Sequence, residues 1–186
     1  MHILVVAATA QELAPADCWR TLCCGVGPIE AAAATAAALA AEPPLVVLHV
    51  GIAGARRASG VTPPAVVVGT EALYCDLGVP EAFAPRRLVT PEALVAAACR
   101  AVPGAHRLPI GTSGRVGHSA DCAVEGMEGF AVLRAAALAG VPAIEVRVIA
   151  NEIEEADRAK WQFAEAFATV RAITPALVQE LAACRR

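Results

Sequence analysis

Aromatic side chains are scarce in this sequence: Phe, Trp and Tyr make up 4% of its 186 residues. Its core must be built from Ala, Val, Leu and Ile instead. Charge is sparse too, at 18% Asp, Glu, Lys and Arg against 57% hydrophobic residues, which excludes a disordered chain. There is no excess of positive charge, since the formal net charge is −3. A sequence-independent nucleic-acid binder needs a basic face, so nucleic acid is not an expected partner. A small anionic ligand needs only one or two local cations and stays possible. No CxxC spacing occurs among Cys18, Cys23, Cys24, Cys75, Cys99, Cys122 and Cys184, and His2, His49, His106 and His118 are scattered. Neither a zinc site nor a disulfide framework is indicated, no metal or cofactor is expected, and most of the cysteines read as small buried apolar residues. No apolar run is long enough to span a bilayer: the alanine-rich stretch 31–41 is too short and is broken by Pro43-Pro44. The N-terminal MHILVVAATAQE has no basic lead and turns polar too soon for a secretory signal. A soluble protein of the cytoplasm, without a membrane partner, is expected.

The length suits one domain over residues 1–186, large enough to bury about 70% of its unfolded surface. Apolar runs at 2–8, 21–24, 45–50, 65–70, 108–112 and 142–149 read as strands. The third is expected to end in a glycine turn at 51–54. Helices are predicted at 28–41, with Pro28 in its first turn, and at 91–102, 127–140, 157–170 and 175–184. Residues 75–90 read as a loop. Strands that are continuously apolar and alternate with helices predict an α/β fold, a three-layer αβα sandwich around a central mixed sheet.

In such sheets ligands bind beyond the carboxyl ends of the strands. Four polar or glycine-rich segments fall there. Gly51-Ile52-Ala53-Gly54 either lets backbone approach an anion or sugar, or is a plain turn. Glu125-Gly-Met-Glu128-Gly places two carboxylates around Met127. One of them can accept from both hydroxyls of a ribose, or both simply favour a helix N-terminus. Glu145 and Arg147 share a strand face, where a structural ion pair is the plain reading. Asn151 ends that strand as a ligand group, a turn residue or a cap. Glu12 follows the first strand. Gly25-Val-Gly27 tempts toward a dinucleotide fingerprint but lacks the third glycine, Glu30 standing there, so it reads as strand-to-helix punctuation. His49 and His118 read as structural histidines.

Taken in order, ILVVAATAQE, CCGVGPIEAAAAT, VVLHVGIAGA, VVVGTEALYCDLG, VEGMEGFAV and VPAIEVRVIANE resemble the nucleoside phosphorylase and nucleosidase superfamily across most of the chain. GIAGA, the inserted glycine in VEGMEG and the asparagine at 151, where adenine-directed relatives carry an aspartate, resemble its futalosine-directed branch. The resemblance implies an N-glycoside hydrolase that releases hypoxanthine from futalosine in the alternative menaquinone pathway. It implies that Glu12 activates the water, Glu128 holds the ribose beside Met127, Arg147 supports the site by polar contacts, and Asn151 meets the purine at N7. Gly51, Ala53 and Gly54 are the implied backbone contacts, and Val116, in the loop 111–116, the implied purine-lining side chain. Phe83 is implied to reach a neighbouring subunit's site, which makes the protein a homodimer or higher oligomer with a small nucleoside as substrate. An asparagine amide can donate to the O6 of a 6-oxopurine while its carbonyl accepts from a protonated N7; an ionised aspartate would repel O6. Futalosine carries a benzoate-like group at its 5′ end, for which Arg86, Arg87 and Arg115 are candidates that the sequence does not separate. Only about eight residues lie between Glu12 and Thr21, where adenine-directed relatives insert strands, which predicts a smaller sheet. The rival readings are a purine nucleoside phosphorylase, another purine nucleosidase, a catalytically silent nucleoside binder and a dinucleotide module.

Overall fold

The computed structural model describes residues 3–16, 18–119 and 122–184; His2, expected to open the first strand, lies outside them. Strand β1 (Ile3–Ala7) shows how the fold is organised. Its residues alternate between two cores: Ile3, Val5 and Ala7 face one cluster, Leu4 and Val6 the other. A strand buried on both faces has no polar alternation, hence the continuous apolar run. β1 pairs in parallel with β2 (Arg20–Cys23) on one side and β3 (Val46–Ala55) on the other. The short stretch after Glu12 leads straight into edge strand β2.

Helix α1 (Pro28–Ala41) starts with proline in its first turn, has Glu30 near its positive end and stops before Pro43-Pro44. It packs with α3 (Gly129–Leu138) against the Leu4 and Val6 face. Helices α2 (Glu92–Ala101) and α4 (Phe163–Ala183) cover the Ile3 and Val5 face. The expected mixed α/β architecture with helices on both faces is therefore what the chain adopts.

The remaining strands are β4 (Val66–Tyr74), β5 (Arg87–Val89), β6 (His106–Thr112), β7 (Val124–Gly126) and β8 (Ala143–Glu152). The sheet order is β2-β1-β3-β7-β6-β4-β5, with β8 pairing both β3 and β4. Through β8 the sheet closes into a ring of β3, β8, β4, β6 and β7, filled by a third small core that includes Val67, Ile110, Val124 and Ile149. Sequence periodicity carries no sign of that closure.

Several predicted boundaries move. β3 does not stop at a glycine turn but runs through Gly51 and Gly54 to Ala55. These glycines serve close approach: a Cβ on Gly51 would strike Arg147 and Glu12, and one on Gly54 would meet Asn151 at 3.1 Å. β5 lies inside the predicted loop, and three-residue β7 is too short for a periodic signal. The two C-terminal helices are one: α4 runs through Pro175, while 157–162 holds only a 3₁₀ turn, Arg158–Lys160. A continuous buried stripe of Ala166, Val170, Thr174, Leu177, Val178 and Leu181 carries the helix past the proline. Thr174 donates to the carbonyl of Val170 at 2.7 Å on the same turn. Among the cysteines only Cys24 and Cys122 are buried, and Cys18 and Cys23 are exposed, which corrects the reading of most of them as core residues. Among the described residues no helix is long and apolar enough to cross a membrane.

Candidate active site

A cavity of about 190 Å³ opens where parallel β1, β3 and β8 end together. Its lining includes Glu12, Ala53, Gly54, Val116, Met127, Glu128 and Asn151, seven residues singled out from sequence. The walls also hold Ile52 and Glu125, from the glycine segment and the carboxylate pair named in the sequence, and Thr9, Val26, Trp161, Phe163 and Phe167, which sequence reasoning did not select.

Glu12 closes the 3₁₀ turn Ala10–Glu12 directly after β1 and is 3% exposed. Its Oε2 accepts from the Thr9 backbone N–H at 2.8 Å and from the Thr9 hydroxyl at 2.9 Å. Its Oε1 accepts from the Ile52 N–H at 3.1 Å. A carboxylate offers about four lone-pair sites. Three are taken, and the one left is on Oε1. The Thr9-x-x-Glu12 spacing, a capping-box pattern, was the available signal for Thr9.

The two carboxylates around Met127 part company in the structure. Glu125 accepts from the Gly117 N–H at 2.5 Å, the Ser119 N–H at 2.8 Å and the Ser119 hydroxyl at 2.5 Å. It is thereby spent holding the loop that carries Val116. Asp76 ties the same loop through Ser113 at 2.9 Å and Gly114 at 2.5 Å. Glu128, just ahead of α3, accepts one bond from the Gly27 N–H at 3.0 Å and stands 3.5 Å from Arg147. Gly27 has a φ of 94°, a left-handed conformation natural to glycine, and this aims its N–H at Glu128. The Gly25-Val-Gly27 segment is thus punctuation, as read, and also a donor to the site.

Arg147 does not line the cavity. It lies beneath it, 1% exposed, and bonds Glu145 at 2.6 Å, so the ion pair expected from their shared face is present. Its Nη2 donates to Nε2 of His49 at 2.5 Å, which leaves the His49 Nδ1–H to donate to the Val6 carbonyl at 3.0 Å. Burial works against the Arg147 charge, but Glu145, Glu128 and Glu12 outweigh it and hold its pKa above the usual arginine value. Burial pushes the Glu145 carboxyl up, opposed by Arg147. Burial, then the Arg147 charge, drive the His49 pKa well below its ordinary 6.5, against the pull of the Val6 carbonyl. His49 therefore stays neutral when folded but protonates when unfolded. The unfolded state binds the extra proton, so stability falls as pH drops below about 6.5, by up to about 1.4 kcal/mol per pH unit. We expect His49→Gln, which can still accept from Arg147 and donate to Val6, to flatten that slope. Urea unfolding midpoints between pH 7.5 and 5 would show parallel curves for both proteins if His49 does not carry it.

Asn151 lies near the end of β8 and is 8% exposed. The β3–β8 register slips there: Ala53 faces Ile149 but Gly54 faces Asn151, and the bulge re-aims the side chain. Its Nδ2 donates to the Glu152 carbonyl at 3.0 Å. That carbonyl can only accept, so the amide nitrogen is fixed on its side, with one N–H and Oδ1 left over.

Besides Arg147, two sequence-selected residues are not brought into this cavity. Gly51 sits behind it as the gap for Arg147 and Glu12. Phe83 is 82% exposed on the turn after β4, away from this chain's own cavity. Arg87 pairs with Glu71 at 2.5 Å, Arg86 lines a separate hollow with His118, and Arg115 is exposed.

Residues 20–183 match the family model described as the phosphorylase superfamily, and the chain belongs to that superfamily. Within it the chain is 34% identical over 183 residues to futalosine hydrolase of Streptomyces coelicolor, covering 83% of this chain and 76% of that protein. The fold matches a 5′-methylthioadenosine/S-adenosylhomocysteine nucleosidase of Colwellia psychrerythraea, solved with adenine, at TM-score 0.84 and 18% identity over 97% of this chain and 96% of that one. It equally matches futalosine hydrolase of Helicobacter pylori, at TM-score 0.84 and 16% identity over 97% and 98%.

Proposed function

We propose that this protein hydrolyses the N-glycosidic bond of futalosine in the cytoplasm, releasing hypoxanthine for menaquinone biosynthesis. The observation that carries the reading is Asn151: a buried amide, fixed by Glu152, lines the same cavity as Glu12 and Glu128. In this reading Glu128 accepts from the ribose hydroxyls. Its acceptor is already aligned by Gly27, and the Arg147 guanidinium stands 3.5 Å from it. Bond cleavage builds positive, oxocarbenium-like character at the sugar, which the Glu12 and Glu128 carboxylates favour electrostatically. The open lone pair on Glu12 takes a proton from the attacking water. The free N–H of Asn151 donates to O6 of the leaving base and Oδ1 accepts from its protonated N7; an amide does not titrate usefully, so water brings the N7 proton. The two arginines after β3 are committed elsewhere, Arg56 to the carbonyls of Ser119 and Cys122, Arg57 to Glu152, which favours water over phosphate as the nucleophile. Hypoxanthine release from futalosine at full rate without phosphate is the expected result. Release only from inosine, and only with phosphate, would make the protein a phosphorylase and remove Glu12 from the water-activating role.

Base preference offers a second test. Asn151→Asp replaces the donor to O6 by a repelling oxygen. We expect kcat/KM on futalosine to fall about tenfold to hundredfold, with methylthioadenosine gaining in relative terms. An unchanged ratio of the two substrates would sink the role of Asn151.

Self-association belongs to the same reading. Ile29 is 81% and Leu138 72% exposed, on an apolar groove of about 540 Å³ between α1 and α3 that Ala32, Ala36 and the buried Phe130 also line. Such a face in a chain this poor in aromatics suits a second copy, with Phe83 reaching the neighbour's cavity. Light scattering should give at least twice the 19.0 kDa chain mass; a monomer at micromolar concentration refutes it.

A further inference from the structure

Seven aromatic side chains serve the whole chain, and three of them, Trp161, Phe163 and Phe167, stand at the candidate active site. Their concentration there is not explained by core filling, because Phe163 is 36% exposed. They form a ladder: Trp161 and Phe163 lie 5.4 Å apart between ring centres, and Phe163 and Phe167 lie 6.1 Å apart and nearly parallel. The ladder starts near Asn151, which shares a wall with Trp161, and runs along α4.

Phe163, Phe167 and Arg171 follow one another at four-residue intervals, hence on one helical face at steps of about 6 Å. Arg171 donates through Nη1 to the carbonyl of Gln11, the residue before Glu12. Arg20, Arg87, Arg100 and Arg107 each hold a surface carboxylate. Among the described residues, no carboxylate lies within ion-pair distance of Arg171. Its guanidinium has five N–H donors in a fixed fork, and one carbonyl does not use them up.

We propose that Phe163, Phe167 and Arg171 form a subsite for an aryl carboxylate attached to the 5′ side of the nucleoside. This rests on the futalosine reading given above and assigns its acidic arm to α4 rather than to Arg86, Arg87 or Arg115. The two rings stack against the aryl group, and the guanidinium one turn further on pairs with its carboxylate. A hypoxanthine nucleoside with a plain 5′ hydroxyl leaves the whole strip unused.

Arg171→Gln is the informative change, since it keeps an N–H for the Gln11 carbonyl and removes the charge. With futalosine, kcat/KM should fall about thirty-fold, equivalent to about 2 kcal/mol, with the loss in KM rather than kcat. The native protein should lose a similar factor on the methyl ester of futalosine, and Arg171→Gln should add no further loss on the ester. Arg171→Lys should restore part of the loss on the acid. Native KM for futalosine in Arg171→Gln would overturn the subsite. Equal losses on acid and ester would overturn it too, because the residue would then act only by holding the Glu12 turn. Absence of hypoxanthine release from futalosine by the native protein defeats the substrate reading itself and the subsite with it; that outcome is read on the native protein alone and so is distinct from the other two.

Discussion

Glu12→Gln is expected to lower turnover about a thousand-fold while leaving substrate binding close to native. The loss follows from removing the proton acceptor; positioned general bases contribute about a hundred- to ten-thousand-fold. Binding persists because Glu128, Asn151 and the cavity walls are untouched. A smaller second effect comes from the hydrogen bonds. Both Glu12 oxygens accept from N–H groups, Oε2 from Thr9 and Oε1 from Ile52. A glutamine must turn its own NH₂ toward one of them. One buried donor is then unsatisfied, at a cost of about 1–3 kcal/mol in stability. The variant should therefore melt lower, be stabilised by futalosine as strongly as the native protein, and release hypoxanthine hardly at all. Native turnover in the variant would show that the water is activated elsewhere.

Glu12 and Asn151 were legible in the sequence because each sits at a fixed offset from a strand that announces itself, whereas Glu128 follows a strand too short to show and was legible through the Glu125-Gly-Met-Glu128-Gly motif at the head of a helix. Continuous apolar runs mark β1 and β8, and the polar residue beyond each run is at the carboxyl edge of a parallel sheet. The separation of Glu125 from Glu128 was not legible. It depends on the loop at 117–119 folding back on Glu125, a contact between segments with no shared periodicity. The glycines of β3 misled for a related reason. A glycine in an apolar run reads locally as a turn, but Gly51 and Gly54 mark places where Arg147 and Asn151 press against the strand from a different element. The aromatic ladder escaped notice because Trp161 precedes α4 and belongs to no periodic pattern. Its meaning appears only when β8 brings the chain back beside the cavity.

Arg147 is where the fold and the site depend on the same atoms. Its guanidinium is the cation closest to Glu145 and Glu128, at 2.6 and 3.5 Å, and all three side chains are almost wholly buried. Glu145 depends on Arg147 all the more, since among the described residues its Oε2 has no hydrogen-bond partner. Replacing Arg147 by methionine strands these carboxyl groups in a low-dielectric interior. A loss of about 3–5 kcal/mol is expected, a large share of the about 5–15 kcal/mol that stabilises an ordinary domain. Urea unfolding measures it directly, and a variant within about 1 kcal/mol of native would show that the network is not strained by losing its cation. The double change Arg147→Met with Glu145→Met separates the two duties. A buried ion pair replaced by apolar residues of similar volume is often neutral in stability, so the double variant should recover much of what the single one loses. Activity should not return with it. Glu128 would still lack the guanidinium that stands 3.5 Å from its carboxylate beside the ribose, so KM should stay raised while the melting point recovers. Recovery of both together would mean that Arg147 serves the fold alone and that Gly27 suffices to position Glu128.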